Sequence, residues 1–242
     1  MSVPELLVLA GGFGTRLRSV VADVPKPLAP VAGRPFLHYL LDAWVMQGVR
    51  RCTFLLHHQA AMMQDSLAAA QAQGEWSDCD IATLVEPEPL GTGGAVSYAV
   101  QELGLEAEFL VANADTWLGS GIRDMAASSA PTIAIVAVAD AGRYGNVRTD
   151  AQDRHVVAFA EKVASGGRGR INAGLYKLHC DCLGSWDGRP YSLERELFPA
   201  LVASNTLQAV ALQTDFIDIG IPDDYWRFCR WIESGRRTAL CT

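Results

Sequence analysis

Cations are scarce in this chain: 20 Lys and Arg stand against 27 Asp and Glu, a net charge of −7 over 242 residues. So acidic a protein has no basic stripe to neutralise a nucleic-acid backbone, which excludes nucleic acid as a partner. A small anion can still be held locally, particularly with a metal ion as intermediary. Long apolar runs are also missing, since no stretch approaches the ~20 residues of a membrane span. The N-terminal apolar run is short and broken by Glu5, unlike a secretory leader. The six cysteines contain no CxxC pair and no zinc-type spacing. Cys180-Asp-Cys182 is too tight for a ligand pair and reads as a strand end carrying thiols. These absences predict a reduced, cytoplasmic protein with no membrane partner. No linker or internal repeat divides the chain, so residues 1–242 read as one domain, with a nucleotide-binding half to about 118 and a second half from about 119.

What is present is concentrated in residues 9–27. The apolar run Glu5–Ala10 predicts a buried strand and leads into Gly11, Gly12 and Gly14. Without side chains there, backbone N–H groups can close around a phosphate. Arg16 adds a planar fork for phosphate oxygens, and Lys26 a point charge between two prolines. Together they make a polyphosphate cradle.

The first half alternates in character. Pro35 opens a helix ended by Gly48, Arg51–His57 is a strand, and Gln59–Gln73 a helix stopped at Gly74. Ile81–Val85 is a strand, Ala95–Leu103 a helix, and Glu108–Ala112 a strand. Such alternation implies a parallel sheet, with ligands beyond the carboxyl ends of its strands. The second half is more strand-like, at 132–138, 145–148, 156–159 and 171–178. A helix over Ser192–Val202, a strand over Leu207–Leu212 and a helix from Pro222 to about Ser234 complete it. Tyr225, Trp226, Phe228 and Trp231 follow helical spacing and dock that last helix.

Dinucleotide binding is disfavoured, because Leu17 replaces the third glycine of a GxGxxG loop and the next strand ends at His57-His58 rather than an acid. No GxxxxGK[ST] motif occurs. Adjacent strand residues point to opposite faces, so His57 and His58 would not share a metal. Trp117 reads either as a sugar neighbour or as an aromatic of the core.

The chain resembles the sugar-1-phosphate nucleotidyltransferases. The likeness is carried by Gly11–Leu17 with Pro25–Pro27, Glu86–Gly94, Asn113-Ala-Asp115, Glu161-Lys162, Asn172-Ala-Gly174 and Asp218–Pro222, in the family's order. It implies a Rossmann-like three-layer α/β/α sandwich with a mixed, mostly parallel central sheet. By the same resemblance Asp115 and Asp218 bind Mg²⁺ as oxygen ligands. Glu161 binds sugar hydroxyls and Lys162 the sugar phosphate, while Tyr144, Gly145, Asn172 and Gly174 meet the sugar. Leu9, Ala10, Gly11, Gly12, Gly14, Thr15, Arg16, Lys26, Glu86, Leu90, Gly91, Thr92 and Asn113 form the nucleotide site. Arg16, Lys26, Asp115, Lys162 and Asp218 carry the catalytic roles.

Glu86 discriminates the base. A carboxylate only accepts hydrogen bonds, and guanine offers two adjacent donors, so GTP is expected over UTP or dTTP. Within the family the loops are most similar to those of D-glycero-alpha-D-manno-heptose 1-phosphate guanylyltransferases. The expected substrates are therefore GTP and a sugar 1-phosphate. A mannose-1-phosphate guanylyltransferase, a muramate or hexose uridylyltransferase, and a non-catalytic nucleotide-sugar-binding regulator are the alternatives. Ala114 and Ile221 depart from the family's glycine and threonine without removing a charge. No extra β-helical domain is expected, and a homo-oligomer is left open.

Overall fold

Leu-Leu-Val-Leu without polar alternation suits a strand covered on both faces, and β1 (Leu6–Leu9) lies inside a parallel sheet with Leu6, Leu7 and Val8 buried. The computed structural model describes residues 2–17, 19–21, 24–144, 146–160 and 167–236. A small antiparallel pair, β2 (Pro30–Val31) and β3 (Arg34–Pro35), leads into α1 (Phe36–Met46), whose apolar face carries Phe36, Leu37, Leu40, Leu41 and Trp44. Next come β4 (Arg51–Leu56), α2 (Ala60–Ala72), β5 (Asp80–Val85), α3 (Gly91–Leu103) and β6 (Glu108–Asn113). Parallel ladders join β6 to β1, β1 to β4, and β4 to β5. Their registers bring Leu9, Leu55 and Asn113 level, so these carboxyl ends share one edge of the sheet.

The second half begins with β7 (Thr116–Leu118), α4 (Ile122–Ala127), β8 (Thr132–Val138), β9 (Asn146–Thr149) and β10 (Val156–Ala160). It continues through β11 (Gly169–His179), α5 (Phe198–Ala203), β12 (Gln208–Leu212), β13 (Phe216–Asp218) and α6 (Pro222–Glu233). β11 runs antiparallel to β6 and extends the same sheet to β8 and β12. One buried cluster packs α1, α2 and α6 on one face, and another packs α3 and α5 on the opposite face. The result is the α/β/α sandwich with a mixed sheet, parallel through β6, β1, β4 and β5.

Some local expectations are corrected. The single helix expected over 192–202 is a π-helical turn, Leu193–Leu197, followed by α5. Asp218 ends β13, which pairs with β7. Strands of three residues are too short to show an alternating pattern. Cys180–Leu183 forms a 3₁₀ turn beyond the strand end, capped by His179. Tyr225, Phe228 and Trp231 do dock α6, whereas Trp226 faces outward at 45% exposure. Trp117 resolves to the core, buried against Phe228 and Trp231.

Candidate functional site

A cavity of about 470 Å³ lies at the shared carboxyl edge of β1, β4, β5 and β6. The first loop contributes Leu9, Ala10, Gly11, Gly12, Gly14, Arg16 and Lys26 to its lining. Glu86, Gly91, Thr92, Asn113 and Asp115 line it from the later strand tips. Parallel strands with short crossovers converge their carboxyl ends, so residues distant in sequence meet there. Thr15 and Arg16 belong to a short turn, Thr15–Leu17, and Gly14 has φ +58°, a conformation that favours glycine.

Glu86 lies against this loop. A Cβ on Gly11 would approach Glu86 Oε1 to 2.9 Å, so the glycine makes room for the carboxylate. The Leu90 backbone N–H donates to Glu86 Oε2 at 3.0 Å, while Leu90 itself does not line the cavity. Burial pushes the Glu86 carboxyl above its ordinary range, partly opposed by the Leu90 N–H. Beyond β4, which ends at Leu56, both histidine rings contact Phe13, His57 at 6.2 Å and His58 at 5.1 Å between centroids. The opposite-face expectation for this pair therefore does not apply, since neither residue is within the strand.

The glycine-rich entry to α3 has a packing cause. A Cβ on Gly93 would lie 2.2 Å from Tyr191 Cε2, and one on Gly91 (φ +72°) 2.6 Å from the Tyr191 carbonyl oxygen. The Thr92 hydroxyl donates to Glu194 Oε2 at 2.7 Å and accepts the Leu193 N–H at 3.0 Å, so it is committed within the protein. Glu194 lines the cavity from the π-helical turn. Phe13, His57 and Glu194 line the cavity and were missed by sequence reasoning. An irregular turn leaves no periodic signal, although π-helical insertions favour functional sites.

Asp115 and Asp218 meet because β7 and β13 pair: Asp218 lies opposite Thr116, and the Ile219 N–H donates to the Asp115 carbonyl at 3.0 Å. The Lys26 ammonium joins the two carboxylates, 2.5 Å from Asp115 Oδ2 and 3.5 Å from Asp218 Oδ1. The Gly220 N–H also donates to Asp218 Oδ1, at 2.7 Å. Burial, then the charge of Asp115, pushes the Asp218 carboxyl up despite Lys26. Two carboxylates thus face one contacting ammonium, with Arg16 as a further positive influence on Asp218. Two convergent hard oxygen donors fit a divalent cation such as Mg²⁺.

The expected sugar side is partly described. Tyr144 packs edge-on against Phe216, and burial together with the Asp218 charge pushes its hydroxyl up to about 12. Asn172 and Gly174 lie at a register shift in β11. Asn172 Nδ2 donates to the Tyr176 hydroxyl at 2.9 Å, and its Oδ1 accepts the Gly174 N–H at 3.0 Å, so this amide is engaged within the protein. Gly174 (φ +71°) gives space to Asn113, whose Nδ2 would be 2.6 Å from a Cβ there. Gly145, Glu161 and Lys162 fall outside the described residues.

A D-glycero-alpha-D-manno-heptose 1-phosphate guanylyltransferase of Campylobacter jejuni subsp. jejuni serotype O:2 is 30% identical over 225 residues, covering 93% of this chain and 98% of that protein. Mannose-1-phosphate guanyltransferase beta-A of Xenopus laevis is 31% identical over 240 residues, and the match spans 96% of this chain but 66% of the relative. The crystal structure of HddC from Yersinia pseudotuberculosis is similar at a TM-score of 0.82 and 33% identity, covering 95% of this chain and 99% of that one. HddC has also been solved complexed with GMP-PN. The nucleotidyl transferase family profile matches residues 5–235. The chain belongs to the nucleotidyl transferase family.

Proposed function

We propose that this protein is a sugar-1-phosphate guanylyltransferase, transferring GMP from GTP to D-glycero-alpha-D-manno-heptose 1-phosphate to give GDP-heptose and pyrophosphate. The observation that carries the choice of base is Glu86, a buried carboxylate facing the glycine loop in the cavity wall. Its acceptor-only oxygens complement guanine's N1–H and exocyclic amine, whereas uracil presents one donor between two acceptors. The acceptor sugar is supported by the likeness to the heptose enzyme and to HddC. Mannose 1-phosphate is the second reading, favoured by the Xenopus relative.

An oxygen of the sugar 1-phosphate forms a bond to the α-phosphorus of GTP, the bond from that phosphorus to the bridging oxygen breaks, and pyrophosphate leaves in line. The nucleophile is already an anion at neutral pH, so the work is positioning and charge neutralisation. Gly11, Gly12 and Gly14 bring backbone N–H groups to the triphosphate, and Arg16 holds the departing pyrophosphate. Lys26 supports the triphosphate from the same loop. Lys162 guides the sugar phosphate and Glu161 the sugar hydroxyls, roles carried by the family resemblance. Mg²⁺ held by Asp115 and Asp218 would supply neutralisation of phosphate charge when bound. Use of GTP fits a cytoplasmic enzyme feeding capsule or other surface-polysaccharide synthesis.

Pyrophosphate release with GTP, ATP, CTP, UTP and dTTP, each against a panel of sugar 1-phosphates, tests the proposal. GTP with the heptose 1-phosphate should be preferred. A clear preference for UTP ends the guanine reading, and no release with any pair supports a non-catalytic binding protein.

A further inference from the structure

Lys26 has two demands on one ammonium. Its stem is fixed between Pro25 and Pro27 in a 3₁₀ turn, with its Cβ 3.3 Å from where a Gly14 Cβ would stand. From that point the side chain, only 10% exposed, reaches both Asp115 and Asp218. The same position lines the nucleotide cavity beside Arg16 and the glycine turn. An ammonium within 2.5 Å of one carboxylate and 3.5 Å of the other neutralises part of the charge that would attract a cation. It also occupies oxygen lone pairs that a cation would need.

We infer that Lys26 is the resident counter-ion of the Asp115–Asp218 pair, so that a divalent cation binds well only when the triphosphate draws the ammonium away, and metal and nucleotide enter together. This deepens the proposed function and rests on its assignment of the two aspartates. Phosphate oxygens offer Lys26 a new partner at the moment the carboxylates gain theirs, and the exchange leaves no unpaired charge in a partly buried site. The free enzyme then makes little use of the metal alone.

The experiment is Mn²⁺ binding to the nucleotide-free protein, followed by titration calorimetry and by loss of the free-ion electron paramagnetic resonance signal. The wild type should bind weakly, and Lys26→Gln and Lys26→Met should each bind about tenfold more tightly or better, as expected for removing a contacting cation from a partly screened site. The methionine variant excludes a ligand role for the new amide. Adding Asp115→Asn to Lys26→Met should abolish the gain, which places the ion at the pair. Thermal melts identify folded variants. Unchanged or weaker binding in both folded single variants overturns the inference, as does a gain that survives Asp115→Asn. No turnover is read, so inactivity towards every sugar 1-phosphate would leave a positive result standing. A normal transferase whose variants bind Mn²⁺ like the wild type would lose this inference alone.

Discussion

If Glu86 reads the base as proposed, one side chain would set both specificity and pH response. Because burial raises its pKa, the folded protein holds the Glu86 proton more tightly than the unfolded chain does. The ionised form, which alone accepts both guanine donors, is therefore lost earlier on acidification than for an exposed glutamate. The KM for GTP should rise as pH falls through that raised value, and Glu86→Gln should be flat over the same window with its preference shifted towards UTP. Steady-state kcat/KM across bases and pH checks both. Asp218 is shifted in the same direction, and here the consequence is for stability. Its raised folded pKa means that the stability linked to its proton is present below the unfolded value and lost as pH rises through the folded one. At neutral pH the ionised group is a cost to folding. Asp218→Asn should therefore melt higher, by about 2–4 °C for each kcal/mol recovered, with little gain near pH 4. The same variant should lose transfer activity, since removing one charge contact of this kind costs about 2–4 kcal/mol of barrier.

At the scale of elements, packing explains glycines within the motifs that carry the family likeness. Gly93 is small because the Tyr191 ring lies on the start of α3, held by the Ser97 hydroxyl at 2.8 Å. Gly93→Ala should destabilise the fold by about 1–3 kcal/mol, as overpacking does. Tyr191→Ala should relieve part of that loss, so the double variant should be less destabilised than the sum of the singles. Urea denaturation of the three proteins measures the non-additivity. The pairing of β7 with β13 is the second case. It was not legible from local pattern because each strand has three residues, yet it is what joins Asp115 to Asp218. The apolar runs of β1 and β4 and the helical periodicity of α1 and α6 are enough to place these elements within a residue or two from sequence.

At the scale of the whole molecule, the site exists only when three distant segments converge. Lys26 lies 89 residues from Asp115 and 192 from Asp218 in sequence. Asp115 and Asp218 sit at strand ends and Lys26 in a short turn after the first loop, so the sheet aligns the two carboxylates and the loop brings the ammonium to them. If Mg²⁺ serves as proposed, chelation with EDTA should stop pyrophosphate release without changing the far-ultraviolet circular dichroism, and added Mg²⁺ should restore it. Loss of ellipticity on chelation would instead mark the ion as structural. Among the described residues no helix is long and apolar enough to cross a membrane, in keeping with the short apolar runs of the sequence.

Local pattern is enough to specify the glycine loop, its cations, the alternation of strand and helix, and the acidic tips, because each depends on neighbours within a few residues. It also suffices to place Glu86 beside a helix entry. Only the packed chain decides that Lys26 rests between two carboxylates, that Tyr191 leaves room only for glycine at 91 and 93, that Glu194 reaches the cavity, and that Asn172 turns its amide into the sheet. Those outcomes depend on contacts between segments far apart in sequence, where strand register and side-chain volume, not periodicity, select the partner.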